Sequence, residues 1–198
     1  MAKELGEEAS KHGHTYMDAP VSGGTKGAVD GTLTFMVGAN SEADFNKAKN
    51  IVDNMGKNIF NCQRVGNGQI AKICNNLTLS INMIGASESL ALGKSLGMDP
   101  KLLTKIMSVS TAGSFVMEKY NPCPGVVETS PASRDYENGF AADLMLKDVK
   151  IALAEAKAVK LSTDLGEKAK DIYEELHEKG FGRKDYGVIF QVLDERKM

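Results

Sequence analysis

Lys72, Asn76, Ser22 and a pair of glycines stand at spacings that suit handling a proton and an anion. Lys72 lies near the start of a long apolar segment, Gly68-Gln-Ile-Ala-Lys72-Ile-Cys-Asn-Asn76, where a charge is costly. Asn76 follows four residues on, so in a helix the two share one face. A lysine in apolar surroundings loses part of its preference for the charged form and can trade a proton near neutral pH. That suits a general acid or base. The competing reading is a lysine at a helix start whose ammonium reaches water along its own methylenes. In Asp18-Ala-Pro-Val-Ser22-Gly23-Gly24 a strand runs into a serine and two glycines. Such glycines leave N–H groups open for an anion, or they make a plain turn. In Gly139-Phe140-Ala-Ala-Asp-Leu144-Met-Leu-Lys147-Asp148, Phe140, Leu144, Lys147 and Ile151 recur on one helical face with Asp148 at its flank. That is a site beside an apolar stripe, or a solvated edge.

A fourth pattern imitates a nucleotide site. Val65-Gly66-Asn-Gly68-Gln-Ile-Ala71 matches Gly-x-Gly-x-x-Gly/Ala, with Glu88 about 20 residues on. The fingerprint needs a strand after its helix, with the acid at that strand's end. Here the helical pattern runs on, Glu88 lies inside it, and no strand signal follows. The glycines read instead as a turn and a helix start that packs close to another backbone.

The elements that must position these residues change character near residue 68. Residues 2–12 read as a helix stopped by Gly13, with Leu5 and Ala9 on one face. Residues 15–21 and 58–62 read as strands, and Thr32–Val37 alternates weakly between strand formers. Ser41-Glu-Ala-Asp44 opens a helix with Phe45, Ala48, Ile51, Val52 and Met55 on its apolar stripe and Gly56 as its stop. After Gly68 the strand signals cease. Gln69–Leu96 reads as one helix, apolar on most sides and ended by Gly97. Asp99-Pro100 caps a further helix to about Val109, and a short one runs to Tyr120. Asn121–Gly139 reads as a long loop with three prolines, of a length that is usually functional or disordered. Helices follow over 141–159, from Thr163 or Asp164 to Lys179, and over 185–195. The fold class is thus an α/β remnant (1–68) followed by an all-α domain (69–198). Three strands and two helices leave sheet edges uncovered, like the tail end of a larger sheet.

Composition narrows the function classes. The chain has 198 residues, a formal net charge of -2, and 42% hydrophobic and 25% charged residues. No Lys/Arg run marks a nucleic-acid partner. Cys62, Cys74 and Cys123 cannot all pair and suit a reducing compartment. His12, His14 and His177 lack companions at metal-ligand spacing. The opening Met1-Ala-Lys-Glu-Leu is not a secretory leader. Residues 70–96 carry too many polar groups for a membrane span.

The three segments, in this order, resemble the β-hydroxyacid dehydrogenases. Asp18–Gly24 is similar to that family's substrate segment, Gly68-x-x-x-Lys72-x-x-x-Asn76 to its catalytic segment, and Leu144-Met-Leu-Lys147-Asp148 to its late cofactor-contacting segment. The loop Asn121-Pro-Cys-Pro-Gly-Val126, with Tyr136, Gly139-Phe140 and Lys184–Gln191, resembles the 3-hydroxyisobutyrate branch. The resemblance spans essentially the whole chain. It implies the C-terminal end of a Rossmann-type domain, one long connecting helix and a helical bundle. It implies NAD-dependent oxidation of a small 3-hydroxyacid, with NADP as the alternative cofactor. Lys72 would be the general acid/base and Asn76 a substrate hydrogen-bond partner. Ser22 with the N–H groups of Gly23 and Gly24 would hold the carboxylate. Lys147 would touch the cofactor near its nicotinamide end, and Phe140 and Asp148 would line or brace the pocket. The family's own Gly-x-Gly-x-x-Gly unit would precede Met1, so the chain by itself is expected neither to bind NAD nor to turn over. The resemblance further implies a homo-oligomer and, in a eukaryote, a mitochondrial matrix setting, or the cytoplasm if bacterial. Two other readings remain open: an NADPH-dependent glyoxylate or succinic-semialdehyde reductase, and a non-catalytic dimerisation module.

Overall fold

The computed structural model describes residues 1–195, and the chain divides into two compact units, Met1–Asn75 and Asn76–Met198. The first unit runs α1 (Ala2–Lys11), β1 (Val21–Ser22), α2 (Gly24–Val29), β2 (Leu33–Val37), α3 (Glu42–Val52), β3 (Gly56–Asn61) and the start of α4 (Asn67–Ser95). Its sheet has the order β1-β2-β3, with β1 antiparallel and β3 parallel to β2. The alternation in Leu33-Thr-Phe-Met-Val37 buries Leu33, Phe35 and Val37, as a period of two requires. Against them α3 sets Phe45, Ala48 and Val52. Each such apolar side chain is worth about 1.5–3 kcal/mol when fully buried.

Ser41 caps α3 as its sequence indicates, accepting the Asp44 N–H at 3.1 Å. The expected end of that helix is wrong. It finishes at Val52, and Gly56 is the first residue of β3. Gly56 is needed there because a Cβ would stand 2.5 Å from the Phe35 ring and 2.6 Å from the Leu33 carbonyl oxygen. Ile51, expected on the apolar stripe, is 67% exposed, and Met55 is exposed too. The strand expected over 15–21 shrinks to Val21–Ser22 and a single bridge from Asp18 to Gly38. The helix α2 was not foreseen, because the two glycines at its start mask it.

The long helix begins at Asn67, two residues early, and ends at Ser95. At about 1.5 Å per residue it is about 43 Å long. It is not apolar on most sides: Cys74, Thr78, Asn82, Gly85, Ser89 and Leu92 leave an exposed stripe.

The second unit continues α4 and adds α5 (Pro100–Ser108), α6 (Phe115–Lys119), α7 (Ala142–Ala158), α8 (Asp164–Glu178) and α9 (Ile189–Glu195). Asp99 caps α5 through the Leu102 N–H at 2.8 Å, with Pro100 at the first helical position. The core gathers Met83 and Leu90 of α4, Met145 and Val149 of α7, Tyr173 and Leu176 of α8, and Tyr186, Val188 and Ile189.

The segment 121–139 is no open loop. It holds a 3-10 helix, Pro131–Arg134, and folds into this core. Asn121 is fully buried. Its side chain donates to Thr104 Oγ1 at 3.1 Å and to the Met117 carbonyl at 3.3 Å, and accepts the Cys123 N–H at 3.0 Å. The Tyr136 hydroxyl donates to the Pro122 carbonyl at 2.9 Å. The last helical stretch begins as a 3-10 turn, Tyr186–Val188, capped by Asp185.

Candidate active site

On α4, Lys72 is half-buried and stands one turn before Asn76. Asn76 is 2% exposed. Its amide donates to Asp148 Oδ2 at 2.5 Å, joining α4 to α7. The other Asp148 oxygen pairs with Lys147 at 2.9 Å. The Lys147 side chain is 60% exposed, and Asp148 lies mostly covered. The structure therefore brings Asn76, Asp148 and Lys147 into one group, joined by a hydrogen bond and an ion pair.

Ser22, Gly23 and Gly24 lie in the first unit, where β1 turns into α2. Gly23 and Gly24 have φ of 141° and 63°, a region that favours glycine. Ser22 is half-buried and both glycines are exposed.

Phe140 precedes α7 instead of sitting on its face, since that helix starts at Ala142. Leu144 and Ile151, expected with it on an apolar stripe, are exposed. Phe140 is instead held from its own backbone: its N–H donates to Asp185 Oδ2 at 2.8 Å.

The glycine fingerprint at 66–71 is closed by the chain itself. Gly66 makes the turn at φ 92°. Both carboxylate oxygens of Asp18 cap the start of α4, accepting the Gly66 N–H at 2.6 Å and the Gln69 N–H at 2.9 Å. A Cβ on Gly68 would lie far inside contact with the Met36 carbonyl oxygen, and 2.7 Å from Asp18 Oδ2. A helix start offers an anion its unpaired N–H groups. Here the anion is a side chain, and no room remains for a pyrophosphate.

Comparison with known proteins bears on what these groups belong to. Residues 66–193 match the family model described as NAD-binding of NADP-dependent 3-hydroxyisobutyrate dehydrogenase. The chain belongs to the 3-hydroxyisobutyrate dehydrogenase family. Residues 1–66 match the NAD binding domain of 6-phosphogluconate dehydrogenase. The Dictyostelium discoideum protein named "Probable 3-hydroxyisobutyrate dehydrogenase, mitochondrial" is 52% identical over 98% of this chain and 60% of its own length. A Pseudomonas aeruginosa NAD-dependent L-serine dehydrogenase is 45% identical over 98% of this chain and 64% of its own. The structure of Mycobacterium tuberculosis 3-hydroxyisobutyrate dehydrogenase with L-serine superposes with a TM-score of 0.90 at 35% identity, over 97% of this chain and 65% of that one. The chain thus spans about 60% of the length of the curated relatives it matches.

Within this 3-hydroxyisobutyrate dehydrogenase-family chain, sequence reasoning passed over three side chains. Asp18 and Asp185 sit inside segments already singled out by resemblance, but nothing in their spacing announces that they are buried. Tyr120 stood only as a helix end. Its hydroxyl donates to Asp185 Oδ2 at 2.6 Å. Burial pushes the Asp185 carboxyl above its ordinary range, against the pull of Tyr120 and two backbone donors. Burial and the neighbouring Asp185 push the Tyr120 phenol up as well. Among the described residues no group of three or more His, Cys, Asp or Glu side chains is placed to hold a metal ion. No helix there is long and apolar enough to cross a membrane.

Proposed function

We propose that this chain carries the proton-transfer and substrate-holding residues of an NAD(P)-dependent 3-hydroxyacid dehydrogenase, with 3-hydroxyisobutyrate as the substrate and methylmalonate semialdehyde as the product, a step of valine catabolism. The observation that carries it is the Asn76–Asp148–Lys147 group on α4 and α7, within a segment matching the family model. Lys72 takes the proton from the substrate hydroxyl oxygen during oxidation and returns it in the reverse direction. Asp148 fixes the orientation of the Asn76 amide, which suits a residue that helps hold a substrate one helical turn from Lys72. Ser22 and the N–H groups of Gly23 and Gly24 hold the substrate carboxylate. A bound nicotinamide would supply the hydride chemistry, which the protein does not itself provide. The chain fits that cofactor at one point, the exposed Lys147; the fingerprint at 66–71 does not fit it. The relatives' names support a mitochondrial setting and a homo-oligomer is proposed from resemblance.

The test is an active host: this chain replacing its counterpart in the Dictyostelium discoideum relative. Lys72→Ala there should lower kcat by about a hundredfold or more, the scale of a lost general acid/base, with cofactor affinity kept. Normal turnover in that variant would remove Lys72 from the mechanism.

A second substrate is favoured by the L-serine dehydrogenase relative. L-Serine and 3-hydroxyisobutyrate differ at Cα, where an ammonium replaces a methyl. An ammonium needs a polar partner when it leaves water and a methyl does not. The ratio of kcat/KM for the two in the same host separates the readings.

A further inference from the structure

We infer that Asp185 and Tyr120 are positioning residues for Phe140, fixing the backbone and ring of a side chain that the family resemblance places at the wall of the substrate pocket. The inference rests on that reading of Phe140, but its geometry stands apart from it. Asp185 is 2% exposed, and one of its oxygens accepts both the Tyr120 hydroxyl at 2.6 Å and the Phe140 N–H at 2.8 Å. The Phe140 N–H also reaches the Tyr120 hydroxyl oxygen at 3.3 Å, so the three groups form a closed triangle. The other Asp185 oxygen accepts the Gly187 N–H at 2.9 Å, which fixes the carboxylate plane.

The rings are held by the same centre. Phe140 meets Tyr186 edge-on with centroids 5.8 Å apart, Tyr186 meets Tyr120 at 5.5 Å, and Tyr120 stacks on Phe115 at 5.8 Å. The backbone around Phe140 is clamped from both directions: Asp185 N–H donates to the Tyr136 carbonyl and Tyr186 N–H to the Phe140 carbonyl, each at 2.8 Å. Gly139 completes the fit, because a Cβ there would stand 2.6 Å from the Asp185 carboxyl carbon. A side chain that only filled the core would need none of these polar fixings, and a buried carboxylate that lost them would be strongly destabilising. Most of them converge on Phe140, two residues before α7 begins.

The conservative variant Tyr120→Phe keeps the ring stack and removes one donor from the triangle. In the active host it should raise KM for the hydroxyacid about tenfold, the effect of a lost hydrogen-bonded orientation, and leave kcat within about twofold. A purely structural Tyr120 would lower thermal stability and the active fraction while leaving KM alone. Amide hydrogen exchange at Phe140, read on this chain without any cofactor, should quicken in Tyr120→Phe and in Asp185→Asn. Unchanged KM in Tyr120→Phe, alongside a raised KM in Phe140→Ala, overturns the positioning role. Unchanged KM in Phe140→Ala overturns the placement of Phe140 against the substrate, and this inference with it. Unchanged exchange at Phe140 in both variants overturns the inference whatever the kinetics.

Discussion

The side chain of Asn76 donates to the carboxylate of Asp148 across 72 positions of sequence, at 2.5 Å, from a site almost closed to water. An asparagine four residues along the helix from the proposed catalytic lysine is thereby oriented before any ligand arrives. Asp148→Ala should remove the acceptor and destabilise the fold by about 1–3 kcal/mol, the cost of stranding a buried donor. Asp148→Asn keeps a carbonyl acceptor in the same place and should recover most of that loss. Thermal unfolding of the two variants checks the order, and equal melting temperatures would contradict it.

Two glycines of α4 should respond in opposite ways to alanine. Gly68→Ala drives a methyl into the Met36 carbonyl, a backbone atom that cannot swing aside, and should cost more than about 3 kcal/mol. Gly85→Ala meets nothing within 4 Å and should gain about 0.5–1 kcal/mol from helix propensity. Urea unfolding measures both.

Asp18 predicts a capping loss without a change in how the chain treats nucleotides. Asp18→Ala strips the N–H groups of Gly66 and Gln69 of their acceptor and should cost about 1–2 kcal/mol. Calorimetry with ADP should show no new affinity in this variant, since Gly68 still abuts Met36. Micromolar binding would mean that the fingerprint is a working phosphate site held shut by one carboxylate.

The buried Asp185 sets a pH dependence. Its folded carboxyl titrates above the ordinary value of 3.8, chiefly through burial. Between those two values the folded chain binds more protons than the unfolded one, so stability falls as pH rises through that window. The contribution is complete below 3.8 and lost above the folded value. Asp185→Asn has no such proton. Unfolding free energies of the two proteins from about pH 4 to pH 7 should therefore diverge in slope; parallel profiles would remove the effect.

What was legible in the sequence was local. Ser41 and Asp99 cap their helices because capping is decided within three residues. The refusal of the glycine fingerprint rested on helical periodicity, and the continuous α4 agrees with it. What escaped depended on partners far along the chain. Gly56 looks like a helix stop until Phe35 of the neighbouring strand is laid over it. The proline-rich stretch 121–139 looks open until Asn121 finds Thr104 and Met117. Of the site residues, the sequence spacing joined Lys72 to Asn76 along one helix. It carried no sign that Asp148 would take the Asn76 amide, or that Phe140 would answer to Asp185.

The contact between Gly139 and the Asp185 carboxylate also limits how this sequence can drift. A side chain at 139 demands a smaller residue at 185, and a smaller residue at 185 abandons Tyr120 and the Phe140 N–H at once. Neither position can change first without loss. Among descendants of this chain the two should be replaced together or not at all, as a linked pair of letters 46 positions apart.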